Sequence, residues 1–201
     1  KIRGFSLKFN FDINDLKLYF DNQININKKP NKQFILANLF SYLSFVTSSQ
    51  KNIPNSYLKI LNEISHFLDP FLGTSNYFLA EIYSNENNFE IALNKLNRIK
   101  KESFINIFSK IKTYKILKII DKNRSNLLLK TLQKKYPNNN EVLFLIANNY
   151  RDQNKCNKAI KIYNKLIKQS ENNYKYNYLK AICLDKLNKW KDSKKMLIKL
   201  I

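Results

Sequence analysis

A pair of small residues recurs along this chain at a fixed interval, and this interval limits the folds that the chain can adopt. Three alanines lie 67 and 34 residues apart, and 67 is close to twice 34: Ala80, Ala147 and Ala181. A second small residue follows each alanine twelve positions later: Ala92, Ala159 and Ser193. Small side chains let two helix backbones approach closely while apolar residues three and four positions away interlock. The interval therefore predicts tandem helical hairpins with a repeat of about 34 residues.

Composition agrees with long helices joined by short polar loops. Hydrophobic residues make up 44% of the 201 positions, and aromatic residues make up 13%, enough to bury a substantial core. The chain has only 2 glycines and 4 prolines, whereas folds with many tight turns usually need more of both. With only Gly4 and Gly73 present, the sequence has no glycine-rich phosphate-binding loop.

Large apolar and aromatic residues keep fixed places around the small ones. In chain order, the three segments carry the pattern on Leu79, Ala80, Tyr83, Phe89, Ala92 and Leu96; on Ile146, Ala147, Tyr150, Ala159, Tyr163 and Leu166; and on Ala181, Leu184, Trp190, Ser193, Leu197 and Leu200. This pattern resembles the tetratricopeptide repeat (TPR), whose unit is two antiparallel helices. The resemblance implies an all-α α-solenoid of stacked helix pairs wound into a right-handed superhelix, with Tyr83, Phe89, Tyr150 and Trp190 in the core.

The repeat spacing predicts how the chain is divided. Residues 1–32 are interpreted as an N-terminal helix and linker, the tail of a preceding repeat, and residues 33–201 as the array. Asp69-Pro70 and Tyr136-Pro137 each end a unit, because proline cannot continue a helix. The predicted units are an irregular one at about 33–70, a clear one at 73–105, a degenerate one at 106–139, and clear ones at 140–173 and 174–201. Further repeats are expected beyond Ile201.

The order of these units resembles one group of long bacterial proteins with many TPR units. Members of this group are often exported. The resemblance therefore implies a bacterial cell envelope or periplasm, with the cytoplasm as the alternative. No stretch of the chain reaches the roughly 18 consecutive apolar residues that a membrane-spanning helix needs.

The charge of the chain allows two interpretations. There are 36 basic and 15 acidic residues, which gives a net charge of +21. Such an excess is typical of proteins that bind nucleic acid or an anionic membrane surface. However, Lys, Asn, Ile, Phe and Tyr are all frequent here, and their codons are rich in A and T. Mutational drift of the genome would therefore produce the same excess without any anionic partner.

Few residues could carry chemistry. His66 is the only histidine, and its position at a helix end predicts a structural role near the helix C-terminus. Cys156 and Cys183 lack metal-ligand spacing and are predicted to be small buried apolar residues, with a single disulfide between them only if the chain is exported. We therefore predict no enzyme activity, no catalytic residues, no metal and no cofactor.

The TPR resemblance also implies which residues face a partner. In TPR arrays a concave groove is lined by the first helix of each pair. By register, the groove positions of this chain are Tyr77, Glu81, Asn85, Lys110, Tyr114, Lys118, Phe144, Asn148, Arg151, Tyr178, Ile182 and Lys186. Amides, aromatic rings and charges together suit an extended peptide. The predicted function is thus a non-catalytic scaffold that binds a peptide or protein. The alternative is charge-driven binding of RNA or of an acidic membrane surface.

Overall fold

The described part of the chain is almost entirely helical. The computed structural model describes residues 31–48, 50, 53–170 and 173–198. Ten helices form in this part: α1 (Lys32–Ser48), α2 (Asn55–Leu68), α3 (Gly73–Asn85), α4 (Phe89–Asn97), α5 (Asn106–Ile120), α6 (Lys122–Lys135), α7 (Asn140–Asp152), α8 (Cys156–Gln169), α9 (Tyr174–Lys186) and α10 (Trp190–Ile198). The predicted short helix and linker within residues 1–32 lie outside the described residues, except that α1 already begins at Lys32.

Consecutive helices pack against each other. The pairs are α1 with α2, α3 with α4, α7 with α8, and α9 with α10. The predicted all-α fold of consecutive helix pairs is therefore confirmed. The chain divides into two compact units, and the division falls within α5, between Ile116 and Leu117. The first unit holds α1 to α4 and α5 up to Ile116, and the second holds the rest of α5 and α6 to α10.

The helices of a pair meet at the small residues. Four alanines at these positions are fully buried: Ala80, Ala92, Ala147 and Ala159. In the pair of α9 and α10 a serine takes the second position, and its hydroxyl forms a hydrogen bond with the facing helix. Ser193 Oγ donates a hydrogen bond to the Ala181 carbonyl at 3.0 Å. A hydroxyl buried at such a crossing needs a partner, and the facing backbone supplies it.

Three of these hairpins turn on an asparagine in the left-handed region. Asn87, Asn154 and Asn188 have φ of 62°, 58° and 58°, and they repeat the intervals of 67 and 34 residues. After Asn154, the Lys155 N–H donates to the Tyr150 carbonyl at 2.8 Å. This bond, with the left-handed residue before it, is the Schellman helix end that glycine usually provides. Asparagine tolerates the conformation because its short polar side chain bonds locally, so the chain turns with few glycines.

Apolar side chains fill the interior of each unit. In the first unit, Tyr83 and Phe89 pack against a cluster that includes Leu96 and Ile116. In the second unit, Tyr150 packs against the cluster around Tyr163, which is fully buried. These places confirm the prediction for three of the four pattern aromatics.

The prediction for the fourth aromatic, Trp190, is wrong. Its side chain is 66% exposed. Trp190 is the first residue of α10, and within Trp190–Ile198 the side chain buried in the packing on α9 is that of Ser193. The ring therefore lies at the edge of the helix pair rather than between the two helices.

The first helix pair buries several polar side chains and exposes several large apolar ones. Polar side chains lie buried between α1 and α2: Ser41, Ser44, Asn62 and Ser65. Asn62 Nδ2 donates to Ser44 Oγ, and Ser65 Oγ donates to the Ala37 carbonyl at 2.7 Å. Large apolar side chains are exposed instead on the outer surface: Ile35, Leu36, Leu39, Tyr42, Ile60 and Phe67. These helices are therefore joined by hydrogen bonds as well as by the buried apolar side chains of Ala37, Leu58 and Leu61.

His66 lies in the last turn of α2, near two cations: Lys95 of α4, and Arg98 directly after that helix. Arg98 Nη1 is 3.3 Å from His66 Nε2, so the neutral ring accepts a hydrogen bond from the guanidinium. Burial lowers the pKa of His66, and the charges of Lys95 and Arg98 lower it further, against smaller opposite effects of Glu63 and Asp69. His66 is thus held neutral, and a role of its positive charge at the helix C-terminus does not apply.

We expect Asn154→Gly to keep or raise the free energy of unfolding, because glycine enters the left-handed region without strain. Asn154→Ala should lower it by about 1 kcal/mol, since a Cβ is penalised there. Urea unfolding followed by circular dichroism measures both. Asn164→Gly, on the exposed side of α8, is the control. It should lower stability by about 0.5 kcal/mol, because glycine weakens a helix interior. Equal losses at Asn154 and Asn164 on change to glycine would contradict the role of Asn154.

We also expect a pH dependence that a single side chain controls. The folded pKa of His66 lies below the unfolded value of 6.5, so the unfolded chain binds more protons. The contribution of His66 is fully present above pH 6.5 and is lost as the pH falls through the folded pKa. The unfolding midpoint in urea should therefore fall between about pH 7 and pH 5. Because the chain has 1 histidine, His66→Gln should flatten this slope. An unchanged slope in the variant would refute the assignment.

Candidate functional site

Two rows of side chains in the second unit form the strongest candidate surface. Phe144, Asn148 and Arg151 lie at intervals of four and three along α7, so they share one side of that helix. Tyr178, Ile182 and Lys186 lie at intervals of four along α9. We call these six residues, with Lys175 of α9, the α7–α9 face.

Contacts at both ends of the two helices hold the rows side by side. Near the start, Lys175 Nζ lies 4.7 Å from the centre of the Phe144 ring, a cation–π distance. The Phe144 and Tyr176 rings are 5.4 Å apart, centre to centre. Near the end, Lys186 Nζ donates to Asn154 Oδ1 at 3.2 Å. Side-chain contacts therefore connect the two rows at both ends of the face.

The helix beneath the face fixes its central amide. Tyr163 of α8 is fully buried, and its hydroxyl donates to Asn148 Oδ1 at 2.8 Å. Burial raises the pKa of Tyr163, so the hydroxyl keeps its proton and remains a donor. With the oxygen held in this way, the Asn148 Nδ2 group is left to donate to a ligand.

A shared carboxylate fixes the charges beside the face. Arg151 donates to Asp152 Oδ1 from Nη2 at 2.9 Å and from Nε at 3.2 Å, and Lys118 Nζ bonds the other oxygen. Burial acts to raise the pKa of Asp152, but the hydrogen bonds from Lys118 and Arg151 outweigh it and lower the pKa. Burial likewise opposes the charge of Arg151, and the bond to Asp152 raises its pKa overall. Asp152 therefore holds two cations in place.

The corresponding positions of the first unit are occupied by internal contacts. Lys112 Nζ lies 2.7 Å from Glu81 Oε2, and the side chains of this pair are only 13% and 16% exposed. The Tyr77 hydroxyl also donates to Glu81, at 3.2 Å. Glu81 thus fastens α3 to α5, and Tyr77 supports Glu81 from within α3. Of the others, Asn85 is exposed and Lys110 is half-buried.

The prediction that Tyr114 faces a partner is wrong. Its side chain is 2% exposed. Ile111 and Leu117 are buried three positions to either side, so Tyr114 belongs to the apolar stripe of α5. The predicted register therefore does not describe this position of α5.

Sequence reasoning missed two residues of the α7–α9 face and its support. Lys175 is not among the predicted groove residues, although it lies three residues before Tyr178 and so on the same side of α9. Tyr163 was recognised as a packing residue, but its hydrogen bond to Asn148 joins two helices and has no local sequence signal.

Other kinds of site were sought in the described residues. Within residues 31–48, 50, 53–170 and 173–198, no three His, Cys, Asp or Glu side chains are grouped closely enough to hold a metal ion. No helix in the same part of the chain has the length and apolar character needed to cross a membrane.

Comparisons with known proteins agree with this architecture. The family model for subunit 3 of the anaphase-promoting complex, or cyclosome, matches residues 121–200. No curated protein matches the sequence at a significant level. Among solved structures, the TPR protein YrrB aligns at a TM-score of 0.57 and 15% identity, covering 90% of each chain.

Two further structures are similar over most of this chain. A chain of the Cut9–Hcn1 hetero-tetramer aligns at a TM-score of 0.70 and 11% identity, covering 91% of this chain and 35% of that one. PilF of Pseudomonas aeruginosa aligns at a TM-score of 0.67 and 13% identity, covering 83% of this chain and 75% of the PilF chain. At such identities the likeness concerns the fold, and this chain has the fold of tetratricopeptide-repeat proteins.

Proposed function

We propose that the chain is a non-catalytic scaffold and that its α7–α9 face binds a peptide segment of a protein partner. One observation carries the proposal. Tyr178 is 51% exposed, and it lies on a surface whose neighbouring groups are already fixed by internal contacts. A ligand therefore meets a pre-organised surface, and preorganisation lowers the entropic cost of binding.

The chemistry of the face suits an extended peptide. The Tyr178 ring and the half-buried Ile182 offer apolar contact, and Asn148 Nδ2 can donate to a backbone carbonyl of the ligand. Exposed tyrosine is a frequent anchor of protein interfaces, because it buries a large area with few rotatable bonds.

The charges of the face favour a ligand with acidic residues. Lys175 and Lys186 lie at opposite ends of the exposed surface of α9. The negative charge of Asp152 is paired with Lys118 and Arg151. We therefore expect an apolar or aromatic residue flanked by Asp or Glu, oriented by complementary charge.

Printed descriptions of similar proteins support this class of function. YrrB is described as a TPR protein with an unusual peptide-binding site. Cut9 forms a hetero-tetramer with Hcn1, and the matching family model is named for a subunit of a multiprotein complex. TPR proteins are generally non-catalytic scaffolds, and this chain is proposed to act in the same way.

Binding of RNA or of an acidic membrane surface is the second candidate, because the net charge is +21. The α7–α9 face does not favour it. Lys118 and Arg151 both bind the Asp152 carboxylate, which would repel a phosphate close to either cation. Asn85 and Lys110 of the first unit remain predicted partner residues.

To test the proposal, short peptides would be selected from a random display library on the full chain. Their dissociation constants would then be measured by fluorescence anisotropy. We expect Tyr178→Ala to weaken binding at least about tenfold, the usual effect of removing an aromatic anchor. Trp190→Ala is the matched control, because Trp190 is a similarly exposed aromatic on the partner helix α10. It should change binding less than about twofold.

Several outcomes would sink the proposal. The library could yield no binding peptide, or Trp190→Ala could weaken binding as much as Tyr178→Ala. A mixed-sequence single-stranded RNA would be titrated in parallel at about 150 mM and about 400 mM salt, since phosphate binding weakens steeply over this range. Tight RNA binding at the lower salt that ignores Tyr178→Ala would favour the second candidate.

A further inference from the structure

The two cysteines of the second unit meet in its core. Cys156 is the first residue of α8, and Cys183 lies within α9. These helices pack together, and both cysteines belong to the cluster around Tyr163, at 2% and 0% exposure. Cys156 lies near enough to Cys183 to act electrostatically on its thiol. Two packed helices thus place two reduced cysteines in one buried apolar cluster.

We propose that Cys156 and Cys183 are a modification site, in which a disulfide oxidant joins α8 to α9 covalently. With oxidised glutathione as the oxidant, one protein thiolate attacks the glutathione disulfide and releases one reduced glutathione. The second protein thiol then displaces the second glutathione. Two protein S–H bonds are lost, one protein S–S bond forms, and the two protons end on two reduced glutathione molecules.

The folded core controls when this reaction occurs. Burial raises the pKa of Cys183 to about 12, and the contact with Cys156 adds to the effect. The attacking species is the thiolate, so the folded, reduced pair reacts slowly. Oxidation takes place during folding or during opening of the α8–α9 contact, and refolding then encloses the bond. The site therefore records the redox conditions in which the chain folded.

The proposed bond lies beneath residues that support the α7–α9 face. The cluster that contains both cysteines also contains Tyr163, whose hydroxyl holds Asn148. The Arg151 guanidinium acts electrostatically on Cys183. A bond between α8 and α9 would restrict the movement of α9 relative to the helix that fixes the central amide. This inference stands independently of the ligand proposed for the face.

The test compares two redox states of one chain. The full chain is unfolded in urea and refolded in a mixture of oxidised and reduced glutathione, or in excess reductant. Mass spectrometry of the intact chain and of peptides cut without reduction should show the loss of two hydrogens and a Cys156–Cys183 link. Because the bond closes a long loop, the melting temperature of the oxidised form should rise by roughly 5 °C or more. Added reductant under unfolding conditions should abolish the gain.

Cys156→Ala and Cys183→Ala serve as controls, because alanine is also small and apolar. In these variants the oxidised and reduced samples should melt at the same temperature. The proposal fails if the refolded wild type retains both thiols or ends as a glutathione adduct. It also fails if the linked form melts below the reduced form. The wild-type comparison involves no substitution, so it decides the question even if a variant folds poorly.

Discussion

The close crossing of the two helices in each pair is the contact on which the rest of the structure depends. At these crossings Ala80, Ala92, Ala147 and Ala159 are fully buried, and a larger side chain would push the backbones apart. The crossing also sets the rotation of each helix. In the second unit this rotation turns Phe144 and Asn148 of α7 towards α9, so the proposed binding surface is a consequence of how the pairs close.

Much of this architecture could be predicted because it depends on the spacing of small and apolar residues along the chain. The repeat of small residues identifies the helix pairs. The same register places Phe144 and Asn148 on one side of α7, and Tyr178 on the exposed side of α9. What could not be predicted depends on partners distant in the chain. The Glu81 side chain makes an internal ion pair because Lys112, 31 positions later, reaches it. Tyr114 is buried because it shares the apolar stripe of α5 with Ile111 and Leu117. The limits of the individual repeats stay a prediction.

Asparagine explains how a chain of this composition keeps its helix ends. Asn87, Asn154 and Asn188 take the left-handed conformation that glycine usually supplies. Asn139 and Asn173 begin helices, with side chains that accept hydrogen bonds from backbone N–H groups. The same residue type therefore replaces both glycine and aspartate. A drift of composition towards Asn and Lys costs this fold little, so the net charge of +21 does not by itself imply an anionic ligand.

The polar contacts and exposed apolar side chains of the first helix pair have a thermodynamic consequence. The heat-capacity change of unfolding, and the dependence of stability on denaturant, both arise mainly from apolar surface that becomes hydrated. In α1 and α2, unfolding would expose the polar Ser41, Asn62 and Ser65 along with Leu58 and Leu61, while Leu39 and Ile60 are already about half in contact with water. This pair therefore contributes a small heat-capacity change for its size. On cooling, its stability should vary less than that of the cluster around Tyr163, so the two regions of the chain respond differently to temperature.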